Sequence, residues 1–223
     1  MNGTLLVVAT PIGNLEDMTH RAVRMLREAD YILCEDTRVT STLCAHYEIT
    51  TPLRRYDAHT SDQLHEDIIA DLVSGKQIAL VSDAGTPGVS DPGVRLIARA
   101  REAGVRIEAI PGPSALTAAI SIAGLPGNQF LFLGFIPQKK GRETFLRTLA
   151  DHEVPVVCFE STHRIMKTLT TLVGFHPTAR VYLGRELTKL HEELIVGTAK
   201  ELLEQLTAEP KRQKGEFVLI FTP

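Results

Sequence analysis

The 223-residue chain has no tryptophan, and aromatic residues make up only 5% of it. Cysteine is equally sparse: Cys34, Cys44 and Cys158 are an odd number at unrelated spacings, with no CxxC pair. That set supports neither a zinc ribbon nor a disulfide framework, calls for no metal, and reads as free thiols in a reducing compartment. No apolar run approaches the roughly 18 residues needed to span a bilayer, so no membrane partner is expected. The segment from Met1 to Ala9 enters an apolar strand at once, without a basic leader or cleavage site, and a cytoplasmic protein is the expectation. A basic excess is also missing. The formal charge is -3, whereas domains that hold bare nucleic acid by bulk electrostatics carry a surplus of lysine and arginine. Low-complexity tracts and 20–50-residue repeats are absent, which excludes disordered scaffolds and solenoids. There is no GxxxxGK[ST] and no GxGxxG after the first strand, so a P-loop is unsupported and a dinucleotide site disfavoured.

Hydrophobic residues make up 43% of the chain, enough for one large core or two small ones. The first half alternates strand and helix patterns. Leu5–Ala9, Tyr31–Cys34, Gln77–Ser82 and Val105–Ile110 are short apolar runs typical of buried parallel strands, and PLRRY is a further short candidate. Helical spacing recurs over Thr19–Ala29, in the segment from EDTR to His46, over Asp62–Ser74 and over Val94–Ala103. This alternation predicts a mostly parallel sheet covered by helices. Pro111-Gly112-Pro113 punctuates the chain before a small-residue helix over Ser114–Ala123. Beyond it FLFLGF, VPVVCFE, ARVYLGREL and EFVLIFTP read as strands, with helices near Arg164–Leu172 and Thr198–Thr207. The fold class is therefore α/β with two lobes, residues 1–112 and 113–223, and a cleft between them.

Three turn-rich loops follow strands: Thr10–Asn14, Ser82–Gly93 and Pro111–Ala115. Ligands bind at the carboxyl ends of strands in open α/β sheets, where glycine allows close backbone approach and proline fixes loop shape. Each loop taken alone also reads as ordinary turn chemistry. None contains lysine or arginine, which speaks against a phosphate site. Asp83 and Asp91 make the longest loop acidic, suiting a cationic ligand or one rich in donors; Asx-type bonding within the turn is the alternative.

The loop SDAGTPGVSDPG (Ser82–Gly93) resembles the signature of the tetrapyrrole methylase superfamily, and within it the branch that methylates 16S ribosomal RNA. Collinear blocks extend the resemblance over essentially the whole chain: Val8–Ala22, Cys34–Arg38, Ile110–Ala119, Phe132–Pro137, Phe159–Ile165 and Lys214–Leu219. It implies a two-lobed fold with S-adenosylmethionine in the cleft and 2'-O-methylation of a cytidine in the small subunit. A homodimer is implied as well. Members often continue into a small helical C-terminal extension, whereas this chain stops at Thr222-Pro223, which bears on how RNA is gripped.

Carried onto matching positions, the resemblance implies that Pro11, Ser82, Asp83, Ala84 and Gly85 border the cofactor, with Thr86, Pro87 and Val89 continuing that wall. Ser114 and Ala115 would meet the methionine end, Phe159 and Glu160 the adenine side, and Leu187 and Gly215 would make later contacts. A 2'-hydroxyl is a weak nucleophile, so a base or acceptor is sought in Glu35-Asp36-Thr37-Arg38 and Glu160-Ser161-Thr162-His163-Arg164, both directly after apolar strands. Glu35, Asp36, Glu160 and His163 are the candidates, and no single base is singled out. Arg38 and Arg164 are candidates for gripping phosphates. Both clusters also read as helix caps with structural ion pairs.

Lys139-Lys140-Gly141-Arg142 and Lys211-Arg212-Gln213-Lys214 are candidate RNA contacts, with solvated surface as the alternative. The scarcity of aromatics for base stacking points to recognition of an assembled subunit by shape. Two other functions stay open: methylation of a tetrapyrrole or other small molecule, and a non-catalytic cofactor-binding module.

Overall fold

The computed structural model describes residues 2–223; Met1, which heads the segment read as leading into the first strand, lies outside the described residues. The chain divides into two compact units, one ending at Ser114 and the other beginning at Ala115. That division falls two residues past the boundary expected between Gly112 and Pro113.

In the first unit, β1 (Thr4–Val8), β2 (Tyr31–Cys34), β3 (Leu53–Arg55), β4 (Gln77–Leu80) and β5 (Arg106–Ile110) form a parallel sheet in the order β3-β2-β4-β1-β5. Four helices connect them: α1 (His20–Glu28), α2 (Thr37–His46), α3 (Asp62–Val73) and α4 (Gly93–Glu102). Side chains start most of these helices. The Thr19 hydroxyl accepts from Ala22 N–H, the Asp36 carboxylate from Arg38 N–H, and the Ser61 hydroxyl from Leu64 N–H. Such caps satisfy amides that have no partner inside the helix.

Alternate strand residues then separate two apolar layers. Leu6, Val8, Ile32, Cys34 and Ala79 meet α1 and α2 through Ala22, Leu26 and Leu43. Leu5, Leu33, Ile78 and Leu80 meet α3 and α4 through Ile68, Leu72 and Leu96. Full burial of each such aliphatic side chain contributes roughly 1.5–3 kcal/mol relative to exposure. The chain thus leaves adjacent β1 and β4 toward opposite faces of the sheet, and the crevice at their carboxyl ends is where open α/β sheets hold ligands.

The second unit comprises α5 (Ala115–Ala123), β6 (Leu131–Phe135), α6 (Arg142–Arg147), β7 (Val156–Glu160), α7 (Ile165–Phe175), β8 (Arg180–Arg185), β9 (Glu193–Thr198), α8 (Ala199–Ala208) and β10 (Phe217–Thr222). Its sheet order is β6-β7-β10-β8-β9. Only β6 and β7 run parallel; β10 is antiparallel to β7 and β8, and β8 is antiparallel to β9. One face packs Val156, Cys158, Leu183, Phe217 and Leu219 against α6, α7 and α8. Gly184 turns to the other face, where Ala119 of α5 lies 3.7 Å from the position a Cβ would take.

Two elements were not legible in the sequence. β9 is an edge strand whose six residues are mostly half-buried, so its alternation is blurred. α6 follows Lys139-Lys140-Gly141 and looked like a charged loop, yet it folds with Arg142 and Leu146 buried.

Candidate functional site

In the first unit the loops after β1, β2, β4 and β5 share one edge of the sheet, because all these strands are parallel. Hydrogen bonds tie them together. Thr10 and Gly85 exchange main-chain bonds of 2.9 and 3.0 Å, joining the first loop to the long one. The Thr10 hydroxyl donates to Ser82 O at 3.0 Å, the Ser82 hydroxyl to Gly85 O at 3.1 Å, and the Thr86 hydroxyl to Pro113 O at 3.2 Å. Gly85 occupies φ +85°, and a Cβ there would sit 3.4 Å from Ile12 Cγ2. Glycine reaches that conformation without strain, so the bridge to Thr10 can form. Asp91 Oδ1 accepts from Gly88 N at 2.6 Å and from Gly93 N at 3.0 Å, closing the loop's second half onto the start of α4.

Of the residues read as bordering a cofactor, Pro11, Asp83, Thr86 and Val89 are half-buried, Ala84 is exposed, and Ser82, Gly85 and Pro87 are buried. Half-buried Ser114 follows the β5 loop. Ala115, also half-buried, opens α5 in the second unit. Thr10 was not singled out in the sequence; its place at the end of an apolar strand, ahead of Pro11, is the signal that marks it.

The acidic groups of this edge act on one another. Asp83 Oδ1 accepts from Asp36 N at 3.0 Å. Arg38 Nε and Nη2 grip both oxygens of Asp36, at 2.6–3.2 Å, and together with the Arg38 N–H they hold the Asp36 carboxyl down to about 2. Arg38 itself is a surface side chain, 89% exposed. Glu35 has no such partner among the described hydrogen bonds. Partial desolvation, then the charges of Asp83, Asp91, Asp57 and Asp36, push its carboxyl up from the usual range. A carboxylate so destabilised is a stronger proton acceptor than an ordinary glutamate.

The second unit gathers the other candidates on one edge of its own sheet. Phe217, the first residue of β10, pairs with Glu160 at the end of β7 and with Arg185 at the end of β8. This brings Phe159, the ESTHR segment, Leu187 and Gly215 to that edge. Phe159 packs edge-on against Phe132 and Phe135, with ring centroids 5.0 and 5.3 Å away. Leu187 is buried. Gly215 lies at φ +114°, and a Cβ there would come within 2.6–2.7 Å of Glu186.

Glu160 does not stand ready to take a proton, contrary to its reading as a candidate base. Its side chain has no exposed surface, and both oxygens are engaged. Oε2 accepts from Arg142 Nη2 at 3.0 Å and from the Thr168 hydroxyl at 2.6 Å; Oε1 accepts from Arg164 Nη2 and from Ser161 N, each at 2.8 Å. Arg164 also donates to Ile136 O and to the Ser161 hydroxyl, each at 2.9 Å. His163 is exposed beside this cluster.

The basic stretches divide in the same way. Lys139, Lys140, Lys211 and Lys214 are exposed, but Arg142 is 6% exposed and Arg212 is taken up by Glu193 and Glu209. The corrected reading is that the arginines of both stretches are structural and the lysines are the ones displayed.

The model of the family of tetrapyrrole (corrin/porphyrin) methylases matches residues 4–203. Ribosomal RNA small subunit methyltransferase I of Xylella fastidiosa (strain Temecula1) is 47% identical over 220 residues, covering 98% of this chain and 81% of that protein. The protein of the same name from Thermotoga maritima is 40% identical, covering 99% and 98% of the two chains. Among solved structures, a cobalt precorrin-4 methyltransferase superposes with a TM-score of 0.70 over 97% of this chain and 94% of its own, at 19% identity. Among the described residues no helix is long and apolar enough to cross a membrane. The chain belongs to the tetrapyrrole methylase family and is a methyltransferase.

Proposed function

We propose that the chain transfers the methyl group of S-adenosylmethionine to the 2'-oxygen of a cytidine in 16S ribosomal RNA, acting on the assembled small subunit. The reading rests on the relatives named for ribosomal RNA methylation, which this chain matches over nearly its whole length. The observation that carries it is the cluster of loops at the carboxyl ends of β1, β2, β4 and β5, joined through the Thr10–Gly85 bridge.

The residues present suit the cofactor. Backbone at Gly85 and the small side chain of Ala84 allow close approach, and the surrounding charge is acidic, matching a sulfonium and an ammonium group. Pro11, Ser82, Asp83, Ala84, Gly85, Thr86, Pro87, Val89 and Ser114, all in the first unit, would border it. When bound, the cofactor supplies an electrophilic methyl group on a good leaving group.

The protein's part is positioning and proton removal. Glu35 would take the 2'-hydroxyl proton, making the oxygen a better nucleophile toward the methyl group that the cofactor would supply. A general base of this kind contributes about 10²–10⁴-fold, and correct alignment supplies much of the remainder. Arg38, Lys139 and Lys140 are the groups that meet phosphates, while Arg164 is committed to Glu160, Ser161 and Ile136. The protein works as a homodimer in the cytoplasm, where small subunits are assembled.

Labelled methyl transfer distinguishes the substrates. Small subunits lacking the modification should accept label, with naked 16S RNA a poorer acceptor and a tetrapyrrole precursor none. Preferential labelling of the tetrapyrrole would overturn the reading.

A further inference from the structure

We infer that Arg142 is a positioning residue: with Glu160 and Arg164 it locks the loop from Ile136 to Gly141 so that Lys139 and Lys140 are presented to phosphates of the RNA. The inference rests on the reading of ribosomal RNA as substrate.

The loop is fixed at both ends and along one side. Ile136 N donates to Phe159 O at 3.1 Å, which anchors the loop to β7. Arg164 Nη1 donates to Ile136 O at 2.9 Å, and Arg142 Nη1 to Pro137 O at 3.0 Å. Arg142 N then closes the turn on Lys139 O at 3.2 Å, and Gly141, at φ +82°, leads into α6. Lys139 and Lys140 are left exposed in a loop whose two leading carbonyls, those of Ile136 and Pro137, are held by two guanidinium groups. No hydrogen bond or ion pair of either lysine side chain is seen among the described residues.

The cluster behind the loop is more polar than stability requires. Replacing buried ion pairs with packed apolar residues is often neutral or stabilising, so their presence is weak evidence for a role in stability alone. Here two arginines share one carboxylate, leaving a formal charge of +1, and Arg142 Nε is buried without a hydrogen-bond partner among the described residues. What this arrangement secures is geometry. The planar fork of Arg142 spans Glu160, Thr168 and Pro137 at once, a reach the ammonium of lysine cannot reproduce. The net positive charge behind the loop also favours an approaching polyanion.

The test is a mutant cycle on the full-length protein, reading KM and kcat for small subunits, cofactor affinity by calorimetry, and the salt dependence of KM. Removing both lysines (Lys139→Ala with Lys140→Ala) should raise KM about tenfold and lower the salt slope by about two. Arg142→Lys keeps the charge but loses the fork. It should raise KM by a comparable factor, with kcat at saturation and cofactor affinity unchanged. Combined with the two lysine changes, it should add little, because residues acting through one contact are not additive. Thr168→Val, which removes a partner of Arg142 while keeping the side chain's volume, should raise KM in the same direction if Arg142→Lys folds poorly.

Independent, multiplying effects of Arg142→Lys and the lysine changes would overturn the inference, as would a loss of cofactor affinity in Arg142→Lys. A wild-type protein that labels no ribosomal RNA would instead sink the substrate reading, and this inference with it.

Discussion

The main-chain N–H of Asp36 donates to the Oδ1 of Asp83 at 3.0 Å, joining two strand-end loops 47 residues apart. Asp83 also carries its charge near Glu35, the residue whose carboxyl is pushed up by partial desolvation and then by its acidic neighbours. Asp83 therefore shapes the loop and raises the basicity of the group beside it.

Asp83→Asn separates those two effects, since the amide keeps an acceptor for Asp36 N–H but removes the charge. The acid limb of kcat/KM should move to lower pH, because Glu35 loses a neighbour that disfavours its ionisation. Asp83→Ala removes the acceptor as well, and should also lower stability by about 1 kcal/mol and weaken cofactor binding. A pH–rate profile of each variant, with calorimetric titration of S-adenosylmethionine, checks both statements.

Glu35→Gln should lower kcat by about 10²–10⁴-fold while leaving cofactor affinity intact. Its stability should also change with pH in a defined sense. Since partial desolvation and acidic neighbours raise the Glu35 pKa in the folded state above its unfolded value, the folded state binds more protons than the unfolded chain in mildly acidic solution. Stability due to this group therefore falls as pH rises through the window between the two values, and Glu35→Gln removes that slope. Chemical denaturation across mildly acidic pH reads it directly.

Gly215→Ala should destabilise the second unit by roughly 1–3 kcal/mol, from left-handed backbone strain and a collision with Glu186. Adding Glu186→Ala relieves the collision but not the φ of +114°, so thermal melting should recover only in part. Full recovery would show that the backbone conformation costs nothing there.

Glu160→Ala should cost about 3–5 kcal/mol, because it leaves Arg142 and Arg164 without the carboxylate they share. Urea unfolding measures this. A loss below about 1 kcal/mol, the scale of an exposed ion pair, would mean that the cluster is open to water in solution.

The strands and helices of the first unit were legible because its sheet is parallel and buried on both faces. Runs such as Leu5–Ala9 are continuous, and caps such as Thr19 and Ser61 mark the helix starts. In the second unit β9 escaped because an edge strand needs no sharp alternation, and α6 because a buried arginine is indistinguishable in sequence from an exposed one. The candidate site was legible as loops but not as partners. The aspartates and glycines of Ser82–Gly93 stand out in composition, whereas the tie from Asp83 to Asp36 and the bridge from Thr10 to Gly85 join residues far apart in the chain. Glu160 shows the same limit. Its position at the end of an apolar strand suggests chemistry, while one of the two arginines that occupy it lies 18 residues earlier.

The most direct test is to map methyl label from S-adenosylmethionine in small subunits taken from a strain that lacks the modification. Label confined to one alkali-resistant dinucleotide, and lost in Glu35→Gln, is the predicted result. Label on a base, label spread over many sites, or no label despite tight cofactor binding would contradict the account.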